Sequence, residues 1–199
     1  MNRKWIALLA IAFLAGIGVN LMNNQPAETQ VDSLASAETT ILQGKNAQPV
    51  TLFDITDPRI RIVYFGFTRC PDVCPTSLAM LAGALQQLDT KLTQQLWPIF
   101  ISLDPERDAP DAAHQYAQYF DSRIDGLSAS LNITTPLAHK YGVIFRKTEL
   151  ENSELGYTLD HSSYFYFLEP DGTLITKVPH TLSPAPLVAA IQTVLKEGK

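Results

Sequence analysis

The sequence predicts an α/β domain, a mixed β-sheet flanked by helices, preceded by a single N-terminal transmembrane helix. Three observations predict it. Residues 5–22 form an uncharged apolar stretch directly behind Arg3 and Lys4. Farther on, two short apolar runs, residues 62–67 and 97–103, flank a segment in which Leu78, Leu81, Leu85 and Leu88 share one helical face. Near the C-terminus, residues 163–168 and 173–178 are joined across Glu169-Pro170-Asp171-Gly172, whose Pro-Asp-Gly is a strong turn and hairpin signal. A strand, helix, strand unit needs a crossover and so pairs in parallel, whereas a tight turn pairs strands antiparallel.

The chain divides into four parts. Residues 1–4 are a cytoplasmic tail and 5–22 the membrane anchor: eighteen residues at about 1.5 Å each come near the roughly 30 Å of a hydrocarbon core. Arg3 and Lys4 precede the segment and no Lys or Arg follows before Lys45, so the positive-inside bias places the body outside, in the periplasm of a bacterial-type inner membrane. A cleaved signal peptide is the competing reading. The stretch is long for one, and the small-x-small triplet Ala35-Ser36-Ala37 lies far beyond it. Residues 23–40, rich in Asn, Gln, Ala, Ser, Thr and Glu without apolar period, read as a solvated linker. Residues 41–199 are one domain.

Within that domain Pro98 stands at the start of the second strand, where a missing N–H is tolerated. A helix over 110–120 follows from Ala113, Tyr116, Ala117 and Phe120 on one face, with Asp108 as its cap. A short helix over 135–141 carries Pro136 in its first turn, and a final helix over about 183–196 faces Leu187, Ala190, Ile191 and Val194 inward. Strand, helix, strand, helices, hairpin and last helix is the order of a thioredoxin-like sandwich. The excess of 20 acidic over 15 basic residues, without a basic cluster, argues against nucleic acid as a partner.

The chain holds only two cysteines, Cys70 and Cys74, four positions apart. A bridge closing so small a loop removes little chain entropy, so a structural staple explains the spacing poorly and chemistry explains it better. An exported protein keeps such a pair available as a disulfide. The pair sits where a strand ends and a helix begins, the edge at which α/β folds gather reactive groups. Pro75 suits the first helical position, which puts Cys74 at the N-cap, where the helix's positive end should draw its pKa below the free value of about 8.5. Two accessible, partly ionised sulfurs then suit either disulfide exchange or a soft metal.

The string Phe65-Gly66-Phe67-Thr68-Arg69-Cys70-Pro71-Asp72-Val73-Cys74-Pro75 resembles the signature of the Sco (SenC) family of copper proteins. Two further blocks, Ser102-Leu103-Asp104-Pro105-Glu106-Arg107-Asp108 and Asp160-His161-Ser162-Ser163 followed by Phe167-Leu168-Glu169-Pro170-Asp171-Gly172, resemble that family in the same order and separation. The resemblance covers about residues 41–196. It implies a thioredoxin-like fold on one N-terminal helix and a role in loading or reducing the CuA site of cytochrome c oxidase. Arg69 stands where the family usually has histidine, which leaves the ligand set intact but bears on thiolate pKa and docking. The stretch before Ile62 is shorter than expected, which argues against the family's usual N-terminal hairpin.

Of the four histidines, His114, His139 and His180 have structural or surface readings. His161 immediately precedes a buried strand, and in thioredoxin-like proteins the loop entering that strand packs against the cysteine motif. Cys70, Cys74 and His161 are therefore the expected metal ligands. Two thiolates and an imidazole form a soft, three-coordinate set that favours copper, as Cu(I) or Cu(II), whereas structural zinc would want a fourth protein ligand. Asp104 is read as a loop residue able to tune the site. Three functions follow: a copper metallochaperone; a thiol-disulfide reductase acting through Cys70 and Cys74 as its catalytic pair; or a redox-sensing module. The expected partners are the cytochrome c oxidase subunit carrying CuA or another cuproprotein client, a thiol reductant protein, and the membrane.

Overall fold

The computed structural model describes residues 40–151 and 153–197. The tail, the anchor over 5–22 and all but the last residue of the linker lie outside the described residues; among those described, no helix is long and apolar enough to cross a membrane.

The core is a five-stranded mixed sheet. Its two central strands, β3 (Ile60–Gly66) and β4 (Leu96–Ser102), are buried at every position, as expected of parallel strands covered on both faces. They are joined by α1 (Val73–Gln86) and the short α2 (Thr90–Thr93). The inward face of α1 repeats at helical spacing through Cys74, Ser77, Leu78, Leu81 and Leu85, all buried. After α3 (Pro110–Phe120), the three-residue β5 (Asp125–Leu127) adds in parallel to β4. On the other side β8 (Tyr164–Leu168) and β9 (Leu174–Pro179) form the expected antiparallel hairpin, giving the order β5-β4-β3-β8-β9. The last helix, α5 (Ala185–Glu197), buries Leu187, Ile191, Val194 and Leu195 and packs against α1. The fold is the thioredoxin-like α/β arrangement.

Register brings the carboxyl ends of β3 and β4 level. Ile60 pairs with Leu96 and Gly66 with Ser102, and the Leu103 N–H donates to the Gly66 carbonyl at 2.7 Å. The cysteine loop leaving β3 therefore lies beside the turn leaving β4.

Four expectations need correction. A short N-terminal hairpin does form, β1 (Ile41–Gln43) with β2 (Pro49–Thr51). Its three-residue arms suffice because Leu42 and Leu52 are fully buried and Gln43 exchanges two backbone hydrogen bonds with Ser128 beyond β5. Pro98 is not at the end of β4 but third in it; β4 pairs with β5 only from Ile99 onward, so on that side Pro98 has no ladder bond to lose. The helix carrying Pro136, α4, runs over Leu131–Lys140 and places that proline in its interior. The forfeited bond is offset by the burial of Thr134, Leu137 and Ala138. The fourth correction matters most for function: His161 does stand shortly before the buried β8, but instead of lying in a loop it ends a strand, β7 (Tyr157–His161), paired antiparallel with β6 (Phe145–Glu149) in a separate two-stranded sheet.

Arg61 was not expected inside. It is fully buried in β3, and its guanidinium donates to the carbonyls of Leu52 (3.2 Å), Asp57 (2.8 Å), Asp54 (2.9 Å) and Arg59 while lying over Trp97. Desolvation pulls its pKa down, but the ring of carbonyls satisfies the donors and closes the loop before β3.

Candidate metal centre

The β3 strand delivers Gly66 and Phe67, and the chain turns at once, the Cys70 N–H reaching back to the Phe67 carbonyl at 3.3 Å. Gly66 is required for space. A Cβ there would stand 2.8 Å from Cys74 Sγ and 3.1 Å from the rings of both Tyr64 and Phe100, so any side chain would push the buried sulfur aside.

The two cysteines are unlike each other, contrary to the expectation of two accessible sulfurs. Cys70 is half-buried and Cys74 fully buried, and both are free thiols. Nor is Cys74 the cap. The cap position belongs to Asp72, whose side chain makes no cap bond, and Cys74 is the second helical residue. Cys70 Sγ takes that role, accepting the Cys74 N–H at 3.4 Å. The helix's positive end therefore acts on Cys70. The Cys74 S–H, His161 and the N–H groups of Cys74 and Asp72 together hold the Cys70 thiol down to about 4. The same hydrogen bond, with burial and the neighbouring charge, pushes Cys74 well above the ordinary thiol range.

This asymmetry has a measurable consequence. In the reduced full-length protein, iodoacetamide should modify Cys70 alone, at a rate nearly flat between about pH 6 and 8, where an ordinary thiol gains about tenfold per pH unit. Peptide mapping after timed quenching measures both. A steep rise over that window, or equal labelling of Cys74, would contradict the arrangement.

From the other side, β7 carries His161 to the pair. Its Nε2 lies 3.5 Å from Cys74 Sγ, and its Nδ1 lies 3.0 Å from the Ser162 carbonyl. A carbonyl only accepts, so that bond places an N–H on Nδ1 and turns Nε2 toward the sulfurs. Tyr64 and Phe67 meet the imidazole in T-shaped arrangements at centroid distances of 6.3 and 6.0 Å. The three expected residues are thus brought together. Among the described residues no three His, Cys, Asp or Glu side chains are gathered tightly enough to cage an ion as they stand. The donor types nonetheless fit copper: two sulfurs and an imidazole nitrogen, with no hard carboxylate among them.

The other histidines stand elsewhere. His180 Nδ1 meets Ser77 Oγ at 2.8 Å, and His139 lies beside Phe145. Asp104 does not reach the sulfurs; it accepts from Arg107 and from the Tyr157 hydroxyl at 2.7 Å. Asp108 is not the cap of α3, which begins after Ala109. It is fully buried and accepts from the Thr68 N–H (2.9 Å), the Thr68 hydroxyl (2.5 Å) and the Ser102 hydroxyl (2.6 Å), bracing the cysteine loop against the end of β4. Thr68 and Ser102 escaped sequence reasoning, although a Thr two residues before a cysteine and an Asp beyond the facing strand were available as signals.

The family model described as SCO1/SenC matches residues 42–196. The chain belongs to the SCO1/SenC family. Among its relatives, Protein SCO2, mitochondrial, of Saccharomyces cerevisiae is 30% identical over 182 residues, 86% of this chain and 60% of that protein. The curated relatives it matches are longer: the chain spans 32% of the Arabidopsis thaliana Protein SCO1 homolog 1 and 45% of the Schizosaccharomyces pombe Protein sco1. Among solved structures, apo Sco1 from Thermus thermophilus is 32% identical with a TM-score of 0.67, covering 77% of this chain and 88% of that one. Arabidopsis thaliana ScoI with copper bound is 30% identical, also at 0.67, covering 78% and 96%.

Proposed function

We propose that this SCO1/SenC protein is a copper metallochaperone that holds Cu(I) or Cu(II) through Cys70, Cys74 and His161. Its proposed task is to assist assembly of the CuA site of cytochrome c oxidase, with the domain held at the periplasmic face by residues 5–22. The observation that carries the reading is the meeting of a strand-borne imidazole, its Nε2 turned toward sulfur, with a cysteine pair at a helix start. A copper-bound relative at 30% identity supports the choice of metal. Copper would be the cargo: thiolates hold it, and oxidation of the pair to a disulfide would withdraw both and release it.

The test is an anaerobic Cu(I) titration of the detergent-solubilised full chain against a competing chelator. Reduced protein should take up one copper per chain tightly and the Cys70–Cys74 disulfide form none; equal affinity in both states would overturn the reading. A second reading, thiol-disulfide reductase, is favoured by the asymmetry of the pair, an ionised, half-exposed Cys70 backed by a buried, protonated Cys74. It predicts turnover of a disulfide substrate that does not need His161.

A further inference from the structure

The β6–β7 hairpin that carries His161 makes no ladder with the main sheet. A two-stranded hairpin alone is marginal in water, and most of this one is solvated: along β6 no residue is fully buried, and along β7 only Leu159 is. Its position is therefore set by side chains. Leu159 and Phe145 root it apolarly near His161. At its far end stands a polar assembly centred on Arg107, whose Nη1 donates to the carbonyls of Leu155 and Tyr157, both at 3.0 Å. The Arg107 guanidinium carbon lies 3.5 Å from the centre of the Tyr157 ring, and Lys147 Nζ lies 3.8 Å from it. The Tyr157 hydroxyl donates to Asp104, which also accepts Arg107 Nε at 2.5 Å, and Lys147 pairs with Glu106 at 3.3 Å.

The polar groups that meet the far end of the hairpin belong to residues 104–108. That segment is a closed turn, with the N–H groups of Arg107 and Asp108 both on the Asp104 carbonyl (3.1 and 2.8 Å). Its last residue is the same Asp108 that holds Thr68 in the cysteine loop. One five-residue turn thus grips the cysteine loop at one end and the histidine hairpin at the other.

We propose that residues 104–108 are a positioning bracket that sets the seat of His161 relative to Cys70 and Cys74, with Arg107 and Tyr157 as positioning residues for the copper site. The inference rests on the copper reading above for its functional consequence. Tyr157 lies four residues, about 13 Å, along β7 from His161, so releasing the clamp swings the imidazole about its apolar root while the cysteine loop, held separately by Asp108, stays in place. Cu(II), which needs the nitrogen donor, should suffer more than Cu(I) or disulfide exchange.

The test uses the full chain in detergent with Arg107→Gln, the milder Tyr157→Phe, His161→Ala and the Arg107→Gln/His161→Ala double variant. Arg107→Gln should weaken Cu(II) about 10–100-fold, as loss of supporting contacts around ligands does, and diminish the thiolate-to-Cu(II) band, with Tyr157→Phe changing both in the same direction by less. The dithiol–disulfide equilibrium with glutathione should not move, and the double variant should bind no worse than His161→Ala. In metal-free protein, amide exchange in residues 145–149 and 157–161 should quicken at least about tenfold in Arg107→Gln while β3 and β4 keep their protection. A Cu(II) loss equally large in the His161→Ala background, or faster exchange throughout the domain, would make Arg107 a general stabiliser and overturn the proposal; so would unchanged hairpin exchange. If His161→Ala itself leaves copper binding intact, the copper reading fails, and the exchange measurement still decides the bracket.

Discussion

Replacing His161 with alanine is expected to abolish the thiolate-to-Cu(II) absorption band and to lower Cu(II) affinity by at least about 100-fold, since removing a ligand costs no less than removing its supporting contacts. Cu(I), content with two thiolates, should be retained more weakly but still bound. Disulfide formation and exchange at Cys70 and Cys74 should stay near normal. The largest influence on Cys70 is its hydrogen bond from Cys74, and His161 is a lesser one; the helix-start N–H that Cys70 accepts is also untouched. Anaerobic titration with each oxidation state, and equilibration with glutathione, measure these separately. An unchanged Cu(II) spectrum and affinity would remove His161 from the ligand set and leave the reductase reading in front.

The largest stability effect is expected at Asp108. Substituting alanine strands three donors, the buried Ser102 hydroxyl and the partly buried Thr68 N–H and hydroxyl. Hydrogen bonds to a charged group contribute about 1.5–3 kcal/mol each and an unpaired buried donor costs about 1–3 kcal/mol. Partial relaxation of the loop brings the expected loss for Asp108→Ala to about 3–5 kcal/mol. Asp108→Asn should lose far less, about 1 kcal/mol. One carbonyl oxygen can accept the Thr68 N–H and Ser102 hydroxyl while the amide donates to a reoriented Thr68 hydroxyl. Urea unfolding of reduced, metal-free protein distinguishes the two variants. An Asp108→Ala midpoint indistinguishable from that of Asp108→Asn would mean that these bonds are not what holds the cysteine loop.

The elements legible in the sequence were those whose burial leaves a periodic trace. The runs that became β3 and β4 are apolar because both faces are covered, and α1 shows its leucines because one face is. The β6–β7 hairpin left no such trace. Phe-Arg-Lys-Thr-Glu is mostly exposed along β6, so selection for burial does not write an alternation there, and the hairpin's polar contacts are with Arg107 and Asp104, distant in sequence. Arg61 was illegible for the opposite reason: a charged residue reads as surface, and only the carbonyls that the fold gathers round it make its burial tolerable.

The same division runs through the site. The chemical types, two thiols and an imidazole in a family pattern over residues 42–196, were determined by the sequence alone, because ligand identity is a property of side chains. Which sulfur is ionised was decided only by tertiary structure. A helix starting at Val73 instead of Pro75 moves the positive end from Cys74 to Cys70, and the space left by Gly66 lets Cys74 sink into the core. A thiol's pKa answers to the N–H groups and burial around it, and those exist only once β3, α1 and β7 have met.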